Sequence, residues 1–293
     1  MHFWVFLILF FLPRPSYGQI FTNQNGEQLS DNWIFNSEFI NEKKIKSING
    51  RFTFKRAGYP MRETNYWQIF EFDSLGRISQ SYETRKDDGT LDTVWTKYFY
   101  NDKGLLIFES TGTHELFSYT TTVFNQNKEI IAIEEYRRAP DVYGIPVTKE
   151  EHVERFTYEE TKGNSVKIRS NKHDTAYAKV TSFFNENGKL VKLEDSDIST
   201  NEGVIIHFDY DDKGNLLQKR VLTSKQEISK ESWAFKYDEK GNLIEKKEFS
   251  ENKLTKETQF LYNEISNLPS AILVQEGGNS NITILRIKEC EYY

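Results

Sequence analysis

The chain has 293 residues, a formal net charge of −6 and 28% charged residues. Acidic and basic side chains are interspersed without a basic block, which argues against nucleic acid or an anionic membrane surface as the main partner. Its one cysteine, Cys290, excludes an internal disulfide, so stability must come from packing.

In chain order the first element is FWVFLILFFL, an unbroken apolar run from Phe3 to Leu12. It is shorter than the ~20 apolar residues that span a bilayer and suits the apolar stretch of a secretory signal. PRPSYG follows, with the small residues Ser16 and Gly18 placed for a cut before Gln19. Residues 1–18 are therefore expected to be a signal peptide, the alternative being an uncleaved anchor. The mature chain is expected in the periplasm, at the cell surface or in the medium. No cysteine follows the cut to carry a lipid, and no later apolar stretch is long enough to span, so no stable membrane span is expected after cleavage. Residues 19–60 are expected to be an irregular N-terminal capping segment, and residues 61–293 a β-hairpin repeat domain.

A local frame then recurs. Its fullest copies are FEFDSLGRI (70–78), YFYNDKGLL (98–106), FDYDDKGNL (208–216) and FKYDEKGNL (235–243), with SFFNENGKL (182–190) close behind. The frame reads aromatic-x-aromatic, Asp or Asn, two polar residues, Gly, one residue, then Leu or Ile. Counting every aromatic that opens such a turn gives about eight units at a period near 27 residues, within the range that marks a repeat architecture. Aromatics at i and i+2 share one face of a strand. Asp or Asn can accept a bond from the turn backbone, and Gly at the fourth turn position supports a type I turn with a bulge. Each copy thus predicts a β-hairpin, with Gly76, Gly104, Gly188, Gly214 and Gly241 as the structural turn residues.

Three copies depart from the frame. TVFNQNKEI (122–130) has Lys128 where Gly is expected, FLYNEISNL (260–268) has Ser266, and FTYEETKGNSV (156–166) has its Gly one place late at Gly163. In the first two, Asn127 or Asn267 could take the left-handed conformation. RRAPDVYGIPV (137–147) is expected to be an excursion or hinge between two halves. The predicted class is all-β: an antiparallel hairpin array of about sixteen strands. Laid flat these would span roughly 75 Å, so the array should curl into a barrel-like wrap, a sandwich or a solenoid.

The frame YDEKGNLIEKKEF resembles the YD repeats of the RHS family, most clearly at Tyr237-Asp238, Gly241-Asn242-Leu243 and at Tyr210-Asp211, Gly214-Asn215-Leu216. The resemblance covers roughly residues 65–270. The period here is longer, and the chain is too short for the large toxin-enclosing shells of that family. NGKL (187–190) is also similar to the hairpin repeats of MORN-type proteins. The resemblance implies a β-array at or beyond the cell surface, often sugar-binding, with no catalytic residues.

Motifs that carry chemistry are sparse. No HExxH, GxSxG, Walker loop or GxGxxG occurs, so neither a metal nor a cofactor is expected. Asp195, Asp197 and the turn pairs Asp211/Asp212 and Asp87/Asp88 could offer oxygens to calcium, but turn aspartates are expected for turn reasons alone. Trp67, Trp95 and Trp233 each lie shortly before a frame's second aromatic. They fit a core stripe; the functional reading makes Trp95 and Trp233 a stacking platform for sugar rings. The expected role is non-enzymatic binding or scaffolding at the bacterial envelope or exterior, toward a glycan or a surface protein. The alternative is an envelope glycan hydrolase using a carboxylate pair, which needs two acids facing each other across a cleft.

Overall fold

The computed structural model describes residues 19–23, 34–87, 90–113, 116–141, 143–161, 164–223, 229–278 and 280–293. The expected signal peptide and Gly163 lie outside the described residues. A short helix α1 (Ser37–Glu42) precedes eighteen strands: β1 (Ile45–Lys55), β2 (Arg62–Phe72), β3 (Ile78–Asp87), β4 (Thr90–Tyr100), β5 (Leu106–Gly112), β6 (Phe117–Phe124), β7 (Ile130–Pro140), β8 (Pro146–Thr161), β9 (Asn164–Asn171), β10 (Ala176–Phe184), β11 (Leu190–Asp197), β12 (Gly203–Tyr210), β13 (Leu216–Thr223), β14 (Ser229–Tyr237), β15 (Leu243–Ser250), β16 (Lys253–Tyr262), β17 (Pro269–Glu276) and β18 (Ile282–Tyr292).

Every strand pairs antiparallel with its neighbour in sequence, and β1 pairs with both β2 and β18. Ile48, for example, sits opposite Phe70 on one side and Cys290 on the other. The sheet is thus an up-and-down barrel of eighteen antiparallel strands. Closure removes the edges that an open array of this size would expose. The strand number exceeds the expected sixteen partly because segment 19–60 is not wholly a cap: β1 within it is the strand that joins the two ends of the sheet. Segment 137–147 is not a hinge either. The β7–β8 ladder runs through it to Pro140 opposite Pro146, around a turn at 141–145.

Alternate turns lie at opposite ends of the barrel. One end carries the turns at 73–77, 101–105, 125–129, 185–189, 211–215, 238–242 and 263–268. In each five-residue member the first residue's carbonyl accepts from the fourth residue's amide, and its own amide donates to the fifth residue's carbonyl, as in Asp238 with Gly241 and Asn242. The Asp or Asn side chain also accepts from the backbone, as Asp238 Oδ1 does from Asn242 N at 2.8 Å. The fourth residue is left-handed, with φ between 72° and 87° at Gly76, Gly104, Gly188, Gly214 and Gly241. Where Gly is replaced in the 125–129 turn, Lys128 itself adopts φ 67°, not the expected Asn127, because the bond pattern fixes the left-handed place. The 263–268 turn is one residue longer, and there Asn267 is left-handed at φ 58°.

The same end holds the apolar core. Phe70, Phe72, Phe208, Leu216, Phe235, Leu243, Phe260 and Leu268 converge from the wall, and Ile20, Phe21, Phe39 and Ile40 come from the N-terminal segment and α1. Phe21 lies 5.3 Å from Phe35 and 5.4 Å from Phe260, ring to ring. Asn36 caps α1 by accepting from the amides of Glu38 and Phe39. The helix rests on the first turn so closely that a Cβ on Gly76 would stand 2.1 Å from the Ser37 carbonyl oxygen. The N-terminal segment therefore plugs this end.

A ladder of phenols ties neighbouring hairpins together beneath the plug. Tyr100 donates to the Ile78 carbonyl, Tyr158 to Ile130, Tyr210 to Leu190, Tyr237 to Leu216 and Tyr262 to Leu243, at 2.8 to 2.9 Å. Each acceptor is the first strand residue after a turn, where the ladder shifts register by one residue. The bulge frees a carbonyl from regular pairing, and the next hairpin's tyrosine satisfies it.

Candidate functional site: two faces of the barrel wall

Side chains alternate across a strand, so the pairing register assigns each residue to a face. The core residue Phe70 aligns with Ser81, Thr96, Thr111, Ser118 and Arg137 across β2 to β7, which therefore share the inner face. On β6 and β7 this inner face meets solvent, with Ser118, Glu135 and Arg137 exposed. Barrels of this strand number are wide enough for an aqueous interior.

Away from the core the inner face is polar. Arg169 bridges Asp195 and, at 3.7 Å, Glu154, and its guanidinium sits 5.7 Å from the Tyr177 ring. The Lys219 ammonium lies 5.6 Å from the Phe208 ring and 5.3 Å from Trp233. Lys246 pairs with Glu248 at 2.9 Å. Burial pushes the Lys219 ammonium below its ordinary range; burial and then the Arg169 charge do the same to Lys167. Burial likewise raises the Glu109 carboxyl and lifts the Tyr98 phenol to about 12.

The outer face divides into two sectors. Over β12 to β16 it is a charged lattice: Arg220 pairs with Asp209 at 3.0 Å, Lys236 with Glu245 at 2.8 Å, and Lys247 with Glu245 and Glu257 at 3.3 and 3.7 Å. A barrel that crosses a membrane presents an apolar band on this face. No helix among the described residues is long and apolar enough to cross a membrane.

Over β2 to β7 the outer face is aromatic. Tyr82 stands directly opposite Trp95, Trp95 opposite Gly112, and Gly112 opposite Phe117. A Cβ on Gly112 would lie 2.4 Å from the Phe117 Cα; its absence lets the Trp95 and Phe117 rings approach to 6.1 Å. Trp67 adjoins Tyr82 at 6.4 Å, Phe108 stacks on Tyr119 at 5.4 Å, and Tyr119 stacks on Tyr136 at 4.9 Å. Hydrogen-bonding groups lie among the rings. Gln80 donates to Glu71, Thr121 and Tyr136 donate to Glu134, and the Lys97 ammonium lies 5.1 Å from the Trp95 ring.

The structure does not bring Trp95 and Trp233 together. Trp95 is half-buried on the outer wall, whereas Trp233 faces inward, packs against the core and has a buried indole N–H without a hydrogen-bond partner among the described residues. The aspartates considered for calcium are engaged otherwise. Asp195 holds Arg169, Asp197 accepts from Ser199 and Thr200, and Asp211 accepts from Lys213 and Asn215. The Asp87 side chain and Asp88 lie outside the described residues. Among the described residues no group of three or more His, Cys, Asp or Glu is placed to hold a metal ion.

A second set of outer residues had no motif to announce it. Arg286 on β18 stands opposite Arg51 on β1, and Arg51 opposite Trp67 on β2. Beside this row, Asn49, Gly50, Arg51, Trp67, Ile69 and Lys288 line a groove of about 420 Å³. RFTFK and LRIKE each alternate cations with apolar residues, which marks them as two-faced strands but not as neighbours.

No known protein family matches the chain, and no curated protein does. Among solved structures, a porin-like protein from Bacteroides uniformis aligns over 85% of this chain and 97% of its own at 11% identity and a TM-score of 0.39. A DUF1329 family protein from Desulfovibrio piger covers 87% and 88% at 8% identity and a TM-score of 0.23. A LolA superfamily protein from Nitrosomonas europaea covers 88% and 93% at 9% identity and a TM-score of 0.18. These likenesses are too low to carry an argument about function.

Proposed function

We propose that this barrel is an exported, non-enzymatic binding protein of the cell envelope or exterior, and that it holds a polysaccharide chain against the aromatic outer wall of β2 to β7. The carrying observation is the half-exposed series of rings Trp67, Tyr82, Trp95, Phe117, Tyr119 and Tyr136, interleaved with Gln80, Lys97 and Glu134. A sugar ring offers an apolar face for stacking and hydroxyls at its rim, and this wall alternates the matching groups. Export is supported by the apolar run at residues 3–12. The YD-type frame supports descent of the turns from one hairpin unit of about 27 residues.

The test is calorimetric titration of the mature chain with a panel of soluble envelope polysaccharides. Trp95→Ala and Tyr119→Ala should each weaken binding several-fold to tenfold, the loss expected for a stacked ring, whereas the inward Trp233→Phe should not. If no polysaccharide binds, or if an envelope protein binds instead through Trp95, the reading is wrong.

A further inference from the structure

We infer that the row Arg286, Arg51 and Trp67, with its adjoining groove, is a binding subsite for an acidic sugar, which deepens and rests on the glycan reading above. Three observations converge. First, Arg286 and Arg51 are cross-strand partners in the β1–β18 ladder. Like charges directly opposite one another destabilise a sheet, and an anion bound between them would relieve that repulsion. Second, neither arginine forms an ion pair among the described residues: Glu63, a carboxylate beside them, pairs instead with Lys288 at 2.8 Å. Lys288 first, then Arg51 and Arg286, hold the Glu63 carboxyl below its ordinary range, and Glu289 stands opposite Asn49 at the groove's edge. The Arg286 guanidinium makes a contact at 3.0 Å with the Met61 sulfur, which carries no charge.

Third, the groove has the other parts of a sugar site. Trp67 stands directly opposite Arg51 and offers a ring for stacking. The side-chain oxygen of Asn49, a residue of the groove's lining, is buried and accepts no hydrogen bond among the described residues. Its desolvation is uncompensated by any described partner. A carboxylate or sulfate would take the guanidinium of Arg51, the geometry in which arginine binds such groups with two parallel bonds. Trp67 also touches Tyr82, so the subsite continues directly into the aromatic wall. The ligand class is thus a polysaccharide bearing a uronic acid or a sulfate ester.

The experiment compares matched probes: polygalacturonate against its fully methyl-esterified form, and dextran sulfate against dextran. It uses wild type, Arg51→Ala, Arg286→Ala and, as a charge control in the β12–β13 turn at the plugged end of the barrel, Lys213→Ala. The expected result is tighter binding of the acidic member of at least one pair. Arg51→Ala should lower that affinity on the order of tenfold, with the neutral member and the Lys213→Ala protein little changed. A preference confined to one pair identifies the acid. Equal affinity for both members of each pair, or equal losses from Arg51→Ala and Lys213→Ala, overturns the subsite. Binding of the neutral probes that depends on Trp95 would then still stand for the aromatic wall. Binding of none of the four overturns the subsite, and the panel of envelope polysaccharides decides the aromatic wall separately.

Discussion

Replacing Tyr262 by Phe tests the phenol ladder with little change of shape. Tyr262 donates to the Leu243 carbonyl at 2.8 Å, and burial, with Asp238 nearby, drives its phenol far above the ordinary value. Deleting the oxygen removes one hydrogen bond and strands a part-buried carbonyl at a bulge, where regular pairing is broken. The loss of a buried acceptor's partner costs about 1–3 kcal/mol. For a domain of this size that is ~2–4 °C of melting temperature per kcal/mol. The matched control is Tyr143→Phe, at a side chain 84% exposed, expected within about 0.5 kcal/mol of wild type. Tyr237→Phe should cost more than Tyr262→Phe, because Tyr237 also accepts from Asn23 of the N-terminal plug at 3.0 Å. The converse change, Phe124→Tyr, would place a donor toward the Leu106 carbonyl by the same rule and should stabilise by ~0.5–1.5 kcal/mol. Urea melts of the five proteins decide the matter. If Tyr262→Phe and Tyr143→Phe melt together, the ladder contributes nothing and the reasoning fails.

At the turns, Gly188→Ala meets open space and should cost only the left-handed penalty of ~1–2 kcal/mol, whereas Gly76→Ala must also displace α1 and should cost clearly more in the same melts. Phe21→Ala, at a plug residue only 2% exposed, should cost ~3–5 kcal/mol; a loss below 1 kcal/mol would mean the plug is not part of the cooperative unit. Stability should fall in alkali. The Tyr98 phenol, lifted to about 12 by burial, stays protonated in the fold while the unfolded chain ionises near pH 10. Its contribution is intact below pH 10 and is lost between there and about 12, at up to ~1.4 kcal/mol per pH unit. Melts from pH 8 to 11 should show the decline, and Tyr98→Phe should reduce it; an equal decline in the variant would refute the assignment.

The all-β class was legible because aromatic alternation and turn residues reinforce one another in copies such as FKYDEKGNL. Closure was not. The partner of β18 is β1, a strand whose sequence IKSINGRFTFK carries no turn frame and whose role rests on a contact between distant parts of the chain. The faces of the tryptophans were in the sequence but were masked by counting distance alone. Trp233 stands four residues before Tyr237, in phase with the inward aromatics, whereas Trp95 stands five before Tyr100 and Trp67 five before Phe72, out of phase. Odd and even offsets place indoles on opposite sides of a wall. The Arg51–Arg286 row was beyond reach, since neither residue has meaning without the register that joins them.

The seam between β1 and β18 also sets an order of events. Until β18 is present, β1 and β17 each offer a long unpaired edge, and the largest loop in the molecule must close to cover them. A chain threaded through a membrane or released from the ribosome N-terminus first therefore exposes β1 longest. Whatever holds the nascent chain has to guard that strand until the final one arrives, and a message truncated before β18 yields a protein that is sticky at both ends.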